Sequence, residues 1–140
     1  MRIAYPTFIV QDGKDYLVFV PDMDIYSEGS TFADAIVMAR DAIGVTGVSM
    51  EDNGVEVPMP SSQQDALQKA GMNTDILDFS KGVLTFVDVD FLEYRKQLDN
   101  KTVRRNVTIP NWLNKEAEKA HINVSRVLQE ALMAKLNIYR

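Results

Sequence analysis

The sequence predicts an α+β protein in two parts: a sheet-forming front part over residues 1–95 and a tail over residues 102–140, joined by a linker over residues 96–101. Short runs of aromatic and β-branched residues separated by turn residues fill the front part, as in an antiparallel sheet. The tail instead shows one short strand pattern followed by two helical patterns. Charge divides at nearly the same place: residues 1–95 hold 6 Lys and Arg against 16 Asp and Glu, a net −10, whereas residues 96–140 hold 9 against 4, a net +5.

The front part begins with two strand patterns. Residues 3–10 and 16–20 are rich in strand-forming side chains, and the polar residues between them predict a tight hairpin turn. Pro6 predicts that the first strand lies at the edge of the sheet or contains a bulge, because proline has no N–H to donate. Two further strands are predicted near residues 25–27 and over residues 83–89.

Two helices are predicted between the third and fourth strands. Thr31 is the expected N-cap of the first helix, with Asp34 placed for a capping box. This helix is expected to end between Gly47 and Asp52, weakened by its glycines. Ser62 is the expected N-cap of a second, short helix. The buried stripe predicted for the first helix comprises Phe32, Ala35, Ile36, Ala39 and Ile43.

Irregular structure is predicted elsewhere in the front part. Residues 55–60 are expected to be extended, because a proline disfavours helix at the residue before it. Residues 71–81 predict a loop. Residues 90–100 predict a polar, partly helical connector that contains the boundary between the two parts.

In the tail, residues 103–109 predict one strand with two different faces. Alternation places Val103, Val107 and Ile109 on one face, and it places Arg104, Asn106 and Thr108 on the other. A lone strand leaves its backbone N–H and C=O groups unpaired, and no second strand pattern follows it in the tail. The same strand of a second copy, paired antiparallel across a two-fold axis, is the simplest partner. We therefore expect a homodimer formed through the tail, or a higher oligomer of such dimers.

The polar face of such a paired ribbon suits duplex DNA. A two-stranded ribbon fits the major groove, where arginine binds guanine and asparagine binds adenine with two hydrogen bonds each. Arg104, Asn106 and Thr108 are therefore the predicted base-reading residues. Arg105 lies on the other face by alternation and is predicted to be a snorkelling residue or a phosphate contact instead. Exposed polar strand faces are also common in proteins that bind no ligand there. The prediction of DNA binding therefore depends as well on the two helices that follow these residues.

Two helices are predicted after the strand, over residues 110–121 and 123–137. Pro110 suits the first helical position, where its missing N–H leaves no bond unmade. Asn123 is the expected N-cap of the second helix, and the free backbone N–H groups of Val124 and Ser125 form a predicted phosphate site. The apolar stripe predicted as the core face of this helix comprises Val124, Val127, Leu128, Ala131, Leu132 and Leu136.

The tail resembles a known family over residues 102–139. The order R-x-N-x-T-I-P, W-L-N-K-E-A-E-K-A, I-N-V-S and R-V-L-Q-E-A-L-M-A-K-L is similar to the ribbon-helix-helix family of dimeric DNA-binding repressors. The resemblance implies that Asn123, Val124 and Ser125 clamp a DNA phosphate.

The front part resembles HicB antitoxins. The matching residues are Tyr5-Pro6, Pro21-Asp22, Glu28-Gly29-Ser30-Thr31, Ala33-Asp34-Ala35, Ala39-Arg40 and the stretch 58–62. The resemblance implies a partial ribonuclease-H-like β-β-β-α-β domain that neutralises a HicA-like, mRNA-cleaving toxin, while the tail represses the operon by binding operator DNA. Where family members usually continue Leu-Pro-Gly-Cys after Pro-Asp, this chain has Met23-Asp24-Ile25-Tyr26. Asp22, Asp24 and Tyr26 are the candidate toxin contacts.

Other functional classes have less support in the sequence. The chain has no cysteine, which excludes disulfides, thiolate catalysis and zinc-thiolate sites. No apolar run approaches a membrane span, so we expect a soluble, cytoplasmic protein without cofactor or metal. The Asp pairs 22/24 and 88/90 suggest a metal-dependent ribonuclease only if they converge on metal ions, and His121 is expected to be structural. We therefore predict that the chain is not an enzyme; a free-standing repressor with a small-molecule-sensing front part is the alternative.

Overall fold

Four strands form one antiparallel sheet in the first of the chain's two units. The strands are β1 (Arg2–Asp12), β2 (Asp15–Val20), β3 (Ile25–Gly29) and β4 (Val83–Asp90), in the order β3-β2-β1-β4. The computed structural model describes residues 1–72, 77–99 and 102–138, and its contacts divide the chain into a front unit, Met1–Lys101, and a tail unit, Thr102–Arg140. The predicted mixed α+β class and all four front strands are confirmed.

The prediction that β1 is an edge strand is wrong. β1 pairs with β2 on one side and with β4 on the other, and its register with β4 runs without a bulge from Arg2 to Ile9. The reason lies in the stagger of the two neighbours. β2 pairs with β1 only from Phe8 onwards, so Pro6 has a strand neighbour on one side only, where it faces Phe86. The missing N–H of Pro6 is thus accommodated locally inside an interior strand.

The long helix α1, Phe32–Asp52, covers one face of the sheet. It begins as predicted, because the Thr31 side chain accepts a hydrogen bond from the Asp34 N–H at 3.0 Å, and it ends at Asp52. Its stripe is largely as predicted: Ala35, Ala39 and Ile43 are fully buried, while Phe32 and Ile36 are partly buried against the core. The strands contribute residues from their α1-facing side to this core, among them Tyr5, Ile9, Val18, Val20, Val87 and Val89.

The glycines of α1 do not end the helix. A Cβ on Gly44 would lie 2.6 Å from the Tyr94 ring, and one on Gly47 would clash with the Phe91 ring. Both aromatic residues belong to α3, Phe91–Leu98, which occupies most of the predicted connector. The glycines therefore allow a close approach of two helices, and packing against α3 compensates for their low helix propensity. Arg95 of α3 also pairs with Asp52 at 2.8 Å.

A shorter helix and a 3-10 turn cover part of the other face. The helix is α2, Gln63–Ala70, and its predicted N-cap is confirmed because the Ser62 side chain accepts from the Asp65 N–H. The turn is Phe79–Lys81. Residues 73–76 of the predicted loop lie outside the described residues. The second core cluster here comprises Phe8, Phe19, Ala66, Ala70 and Phe79.

The tail unit contains two helices, α4 (Asn111–Lys119) and α5 (Val124–Lys135). Asn123 is the N-cap of α5 as predicted, and its side chain accepts from the Arg126 N–H at 3.2 Å. Pro110 is the N-cap of α4 rather than its first residue, because its ψ of 143° is extended. The strand predicted over residues 103–109 is not formed in this chain, since residues 102–110 have no strand beside them with which to pair.

Candidate functional site

A groove in the tail unit brings together several of the residues predicted to contact DNA. It lies between the segment 102–105 and helix α5. Arg104, Arg105 and Ser125 line it together with Gln129, so two arginines share one groove with the second residue of α5. Leu128 and Leu132 provide an apolar part of its wall. Asn106 and Thr108 are exposed but do not line the groove, so the three predicted base-reading residues are not gathered at one place in the single chain.

The start of α5 has the chemistry of an anion site. The Asn123 side chain satisfies the Arg126 N–H, which leaves the N–H groups of Val124 and Ser125 pointing out of the first turn. The α5 helix dipole adds positive potential at this end. The Arg126 guanidinium is turned along the helix and pairs with Glu130 at 3.2 Å. Arg104 and Arg105 are thus the basic residues that line the groove together with Ser125.

The tail unit exposes most of its large apolar side chains. No residue among 102–138 is buried, and the stripe of α5 that was predicted as a core face is exposed, with Leu128 at 37% and Leu132 at 53%. We call this the tail apolar surface; it comprises Val103, Val107, Ile109, Trp112, Leu113, Val124, Val127, Leu128, Leu132 and Leu136. The predicted core face of α5 is therefore exposed in the single chain, because α4 and α5 are too short to bury a core between them.

In the front unit, the three candidate toxin contacts have different environments. The Asp22 side chain is only 3% exposed; it accepts from the Ser61 N–H at 3.0 Å and pairs with Lys69 at 3.4 Å. Asp22 therefore joins the turn after β2 to the residue before the N-cap of α2 and to the last turn of that helix. Asp24 and Tyr26 are exposed, and Asp24 has a left-handed backbone with φ of 51°.

The other pair of aspartates is occupied by local partners. Asp88 accepts from Arg2 and Arg40, each at 3.0 Å, and the Arg40 hydrogen bond is the main cause that lowers the pKa of Asp88. Asp90 caps α3 by accepting from the Leu92 and Glu93 N–H groups. Burial alone favours protonated Asp90, but those N–H groups and the nearby N-terminal ammonium give it a net lowered pKa.

The described residues contain no cluster of three or more His, Asp or Glu side chains that could hold a metal ion. Asp22 is buried beside Lys69 of α2. Asp88 pairs with Arg40 of α1, and Asp90 is the N-cap of α3. His121 follows α4 with a positive φ of 55°, a helix-ending conformation. Among helices of the described part, none has the length and apolar character needed to cross a membrane.

Several features of these sites are not evident from the sequence. The burial of Asp22 depends on Ser61 and Lys69, which are 39 and 47 residues away. Arg40 hydrogen-bonds the side chain and the backbone carbonyl of Asp88, which is 48 residues away. The only sequence signal for these contacts is the resemblance that already included Pro21-Asp22, Ala39-Arg40 and the stretch 58–62.

Comparison with known proteins places this architecture. A family model described as the HicB-like antitoxin of bacterial toxin-antitoxin systems matches residues 5–135. The crystal structure of the antitoxin HicB from Burkholderia pseudomallei is similar, with 28% identity, a TM-score of 0.50, and coverage of 96% of this chain and 97% of that one.

A toxin-antitoxin complex from Streptococcus pneumoniae contains a chain of similar fold, with 24% identity, a TM-score of 0.55, and coverage of 96% of this chain and 99% of that one. The comparison with curated proteins gave no match. Because the family model spans residues 5–135 of 140, the chain belongs to the HicB-like antitoxin family of bacterial toxin-antitoxin systems.

Proposed function

We propose that this antitoxin neutralises a small basic HicA-like toxin through its front unit and represses its own operon by binding operator DNA through a dimeric tail. One observation carries the proposal: the tail is basic, and its large apolar side chains are exposed in the single chain. A second copy of the tail would cover those side chains and supply the missing strand partner. In this proposal the chain itself has no catalytic role.

The toxin half of the proposal rests on family membership and on charge. Members of this family belong to toxin-antitoxin systems. A toxin that cleaves mRNA must bind a polyanion and therefore presents a positive surface. Residues 1–95 carry a net charge of −10, which complements such a surface and competes with RNA for it. The strands and the long helix α1 of the front unit follow one another as β-β-β-α-β, with the short helix α2 before β4 and α3 after it, which supports the partial ribonuclease-H-like domain that we assign to it.

The DNA half rests on the tail. In the proposed ribbon-helix-helix dimer, residues 103–109 of two copies pair as antiparallel strands, and Arg104, Asn106 and Thr108 face the major groove. Arg105 and the start of α5, at Asn123, Val124 and Ser125, contact the phosphate backbone. Arg105 and Ser125 line one groove together with the proposed base reader Arg104, which supports this proposal. Leu128 and Leu132 then contact the second copy.

The toxin half is tested with the full-length protein and a HicA-like toxin that carries a substitution of its essential histidine. Titration calorimetry is expected to give a saturable complex, and wild-type toxin is expected to stop cleaving RNA when the antitoxin is present. Absence of a complex at micromolar concentrations contradicts the proposal and favours the free-standing repressor with a sensing front domain.

The DNA half is tested with Arg104→Ala and Asn106→Ala. Each bidentate base contact contributes about 1–3 kcal/mol, so each variant is expected to bind the operator roughly 10-fold to 100-fold more weakly, while dimer formation and toxin binding stay unchanged. Lys115→Ala, which removes an exposed lysine of α4, is the control and is expected to have a small effect. Footprinting at one fixed salt concentration measures the difference. An Arg104→Ala protein that protects the operator at the wild-type concentration contradicts the base-reading assignment.

A further inference from the structure

Strand β3 has a free edge. It lies at the end of the sheet and pairs only with β2, through residues Ile25 to Gly29. In an antiparallel pair, every second residue of an edge strand directs its N–H and C=O away from its neighbour. Within the described part of the chain, no group outside β2 hydrogen-bonds to residues 25–29. These outward groups are therefore open to another strand.

The opposite edge of the sheet is occupied at one point. On β4, the Arg40 side chain donates to the backbone carbonyl of Asp88 at 3.0 Å and pairs with the Asp88 carboxylate. Arg2 pairs with the same carboxylate. Proteins commonly protect edge strands with charged side chains, especially lysine, or with proline, because an open edge invites another strand. The sequence of β3, Ile-Tyr-Ser-Glu-Gly, contains no lysine or proline, and Glu28 is its one charged residue.

The outward side chains of β3 combine a flat aromatic surface with negative charge. Tyr26 is 58% exposed and stacks on Phe19 with ring centroids 4.8 Å apart, and Phe79 contacts its edge at 6.1 Å. Two buried rings therefore hold the Tyr26 ring in place. Glu28 follows on the same face of the strand, and Asp24 precedes it. Neither acid forms an ion pair with any described residue, whereas Asp88, Asp52 and Glu93 all do.

We propose that the free edge of β3, with Asp24, Tyr26 and Glu28, binds an extended, lysine- or arginine-bearing segment of the toxin by adding it to the sheet. The inference rests on the proposed function, which supplies a basic partner. Backbone hydrogen bonds along β3 provide the affinity of such strand addition, and neighbouring side chains provide its specificity. The exposed face of Tyr26 suits a cation, and Asp24 and Glu28 complement the charge.

A second copy of this chain fits the edge less well. Antiparallel pairing of two β3 strands brings the acidic residues of both copies close together, and like charges across a strand pair are destabilising. A basic segment replaces that repulsion with attraction. Charge therefore favours the basic partner over self-pairing as the occupant of this edge.

The contributions of the β3 side chains are tested by calorimetry of the full-length protein with the same inactivated toxin that tests the proposed function. Tyr26→Ala and Glu28→Lys are each expected to raise the Kd at least about tenfold, as for residues at the centre of an interface. Two matched variants serve as controls. Phe86→Ala removes an aromatic residue, 51% exposed, from the other edge strand, and Glu56→Lys makes the same charge change in an exposed segment. Both controls are expected to stay within twofold of wild type.

Hydrogen exchange tests the backbone pairing. In the complex, alternate amides of residues 25–29 are expected to become protected. If the wild type binds the toxin but Tyr26→Ala and Glu28→Lys have unchanged Kd values, the inference is overturned. It is also overturned if the toxin binds without protecting the β3 amides. Both outcomes leave toxin neutralisation itself unaffected. Protection that rises with antitoxin concentration alone identifies a second copy as the occupant and also overturns it. Absence of any complex overturns both the inference and the toxin half of the proposed function.

Discussion

The front unit and the tail unit treat their apolar side chains differently. In the front unit, α1 covers one face of the sheet and α2 with the Phe79–Lys81 turn covers part of the other, so that Tyr5, Phe8 and Ile43 are fully buried. In the tail unit, no residue among 102–138 is buried. The front unit thus contains its own core. The tail has the side chains of a core, but its own described residues do not bury them.

Helices α1 and α5 show the same difference at a smaller scale. Both have apolar residues at helical spacing, and both were predicted to bury them. Ala35, Ala39 and Ile43 of α1 are completely buried, because a four-stranded sheet lies beneath them. Leu128 and Leu132 of α5 are exposed. An amphipathic pattern therefore identifies a face that must be covered, but it does not identify what covers it.

The largest expected effect is on the tail. Leu128→Lys places a charge on the tail apolar surface in both copies of the proposed dimer, and burying an unpaired charge is strongly unfavourable. We expect its dimer dissociation constant to rise at least about 100-fold, in the range of a central interface residue. Sedimentation velocity measures the change. The fluorescence of Trp112, the single tryptophan of the chain, reports on the tail separately from the front unit.

Gln129→Lys is the matched control for this prediction. It adds the same charge at the next residue of α5, where the side chain is already polar. Its dimer dissociation constant is expected to stay close to wild type. If the Leu128→Lys protein dimerises as tightly as Gln129→Lys, the tail apolar surface is not the dimer surface, and a second copy is not what covers it.

The second effect concerns the front unit alone. A Cβ added at Gly29 would lie 2.7 Å from the backbone Cα of Ala35, at the first turn of α1, where backbone atoms cannot move aside easily. Gly29→Ala is therefore expected to lower the free energy of unfolding of the front unit by about 3 kcal/mol. Gly71→Ala is the control, since its nearest contacts are an ordinary 3.6 Å away. Urea denaturation followed by circular dichroism compares them; equal midpoints for the two variants contradict the close packing of β3 against α1.

The smallest effect is the titration of Asp88. Its pKa is lowered chiefly by the hydrogen bond from Arg40, so its contribution to stability is present above the unfolded-state pKa of about 4 and is lost as the pH falls through the folded-state pKa. Arg40→Gln is expected to raise the pKa of Asp88 towards its ordinary value. The stability difference between wild type and this variant is expected to shrink as the pH falls below about 4. Carboxyl NMR titration measures the pKa of Asp88. An unchanged pKa in Arg40→Gln contradicts the ion pair between Arg40 and Asp88.

Local patterns predicted much of this fold. The caps Thr31, Ser62 and Asn123 begin their helices as expected, because each involves residues within one turn of chain. The four front strands follow from short-range alternation and turn chemistry in the same way. The edge-strand prediction made from Pro6 was wrong because strand order depends on distant neighbours. Pro6 lies in an interior strand, and its missing N–H is tolerated there because β2 pairs only with the far half of β1.

The sequence alone determined the four front strands, the capped helix starts and the division of charge, since these depend on neighbouring residues or on composition. Only the tertiary structure decided that Asp22 is buried against Ser61 and Lys69, that Arg40 binds the Asp88 carbonyl on β4, and that β3 keeps an open edge beside Tyr26. These features depend on contacts between residues tens of positions apart. Such contacts exist only once the sheet order and the helix packing are set, and no local pattern encodes either.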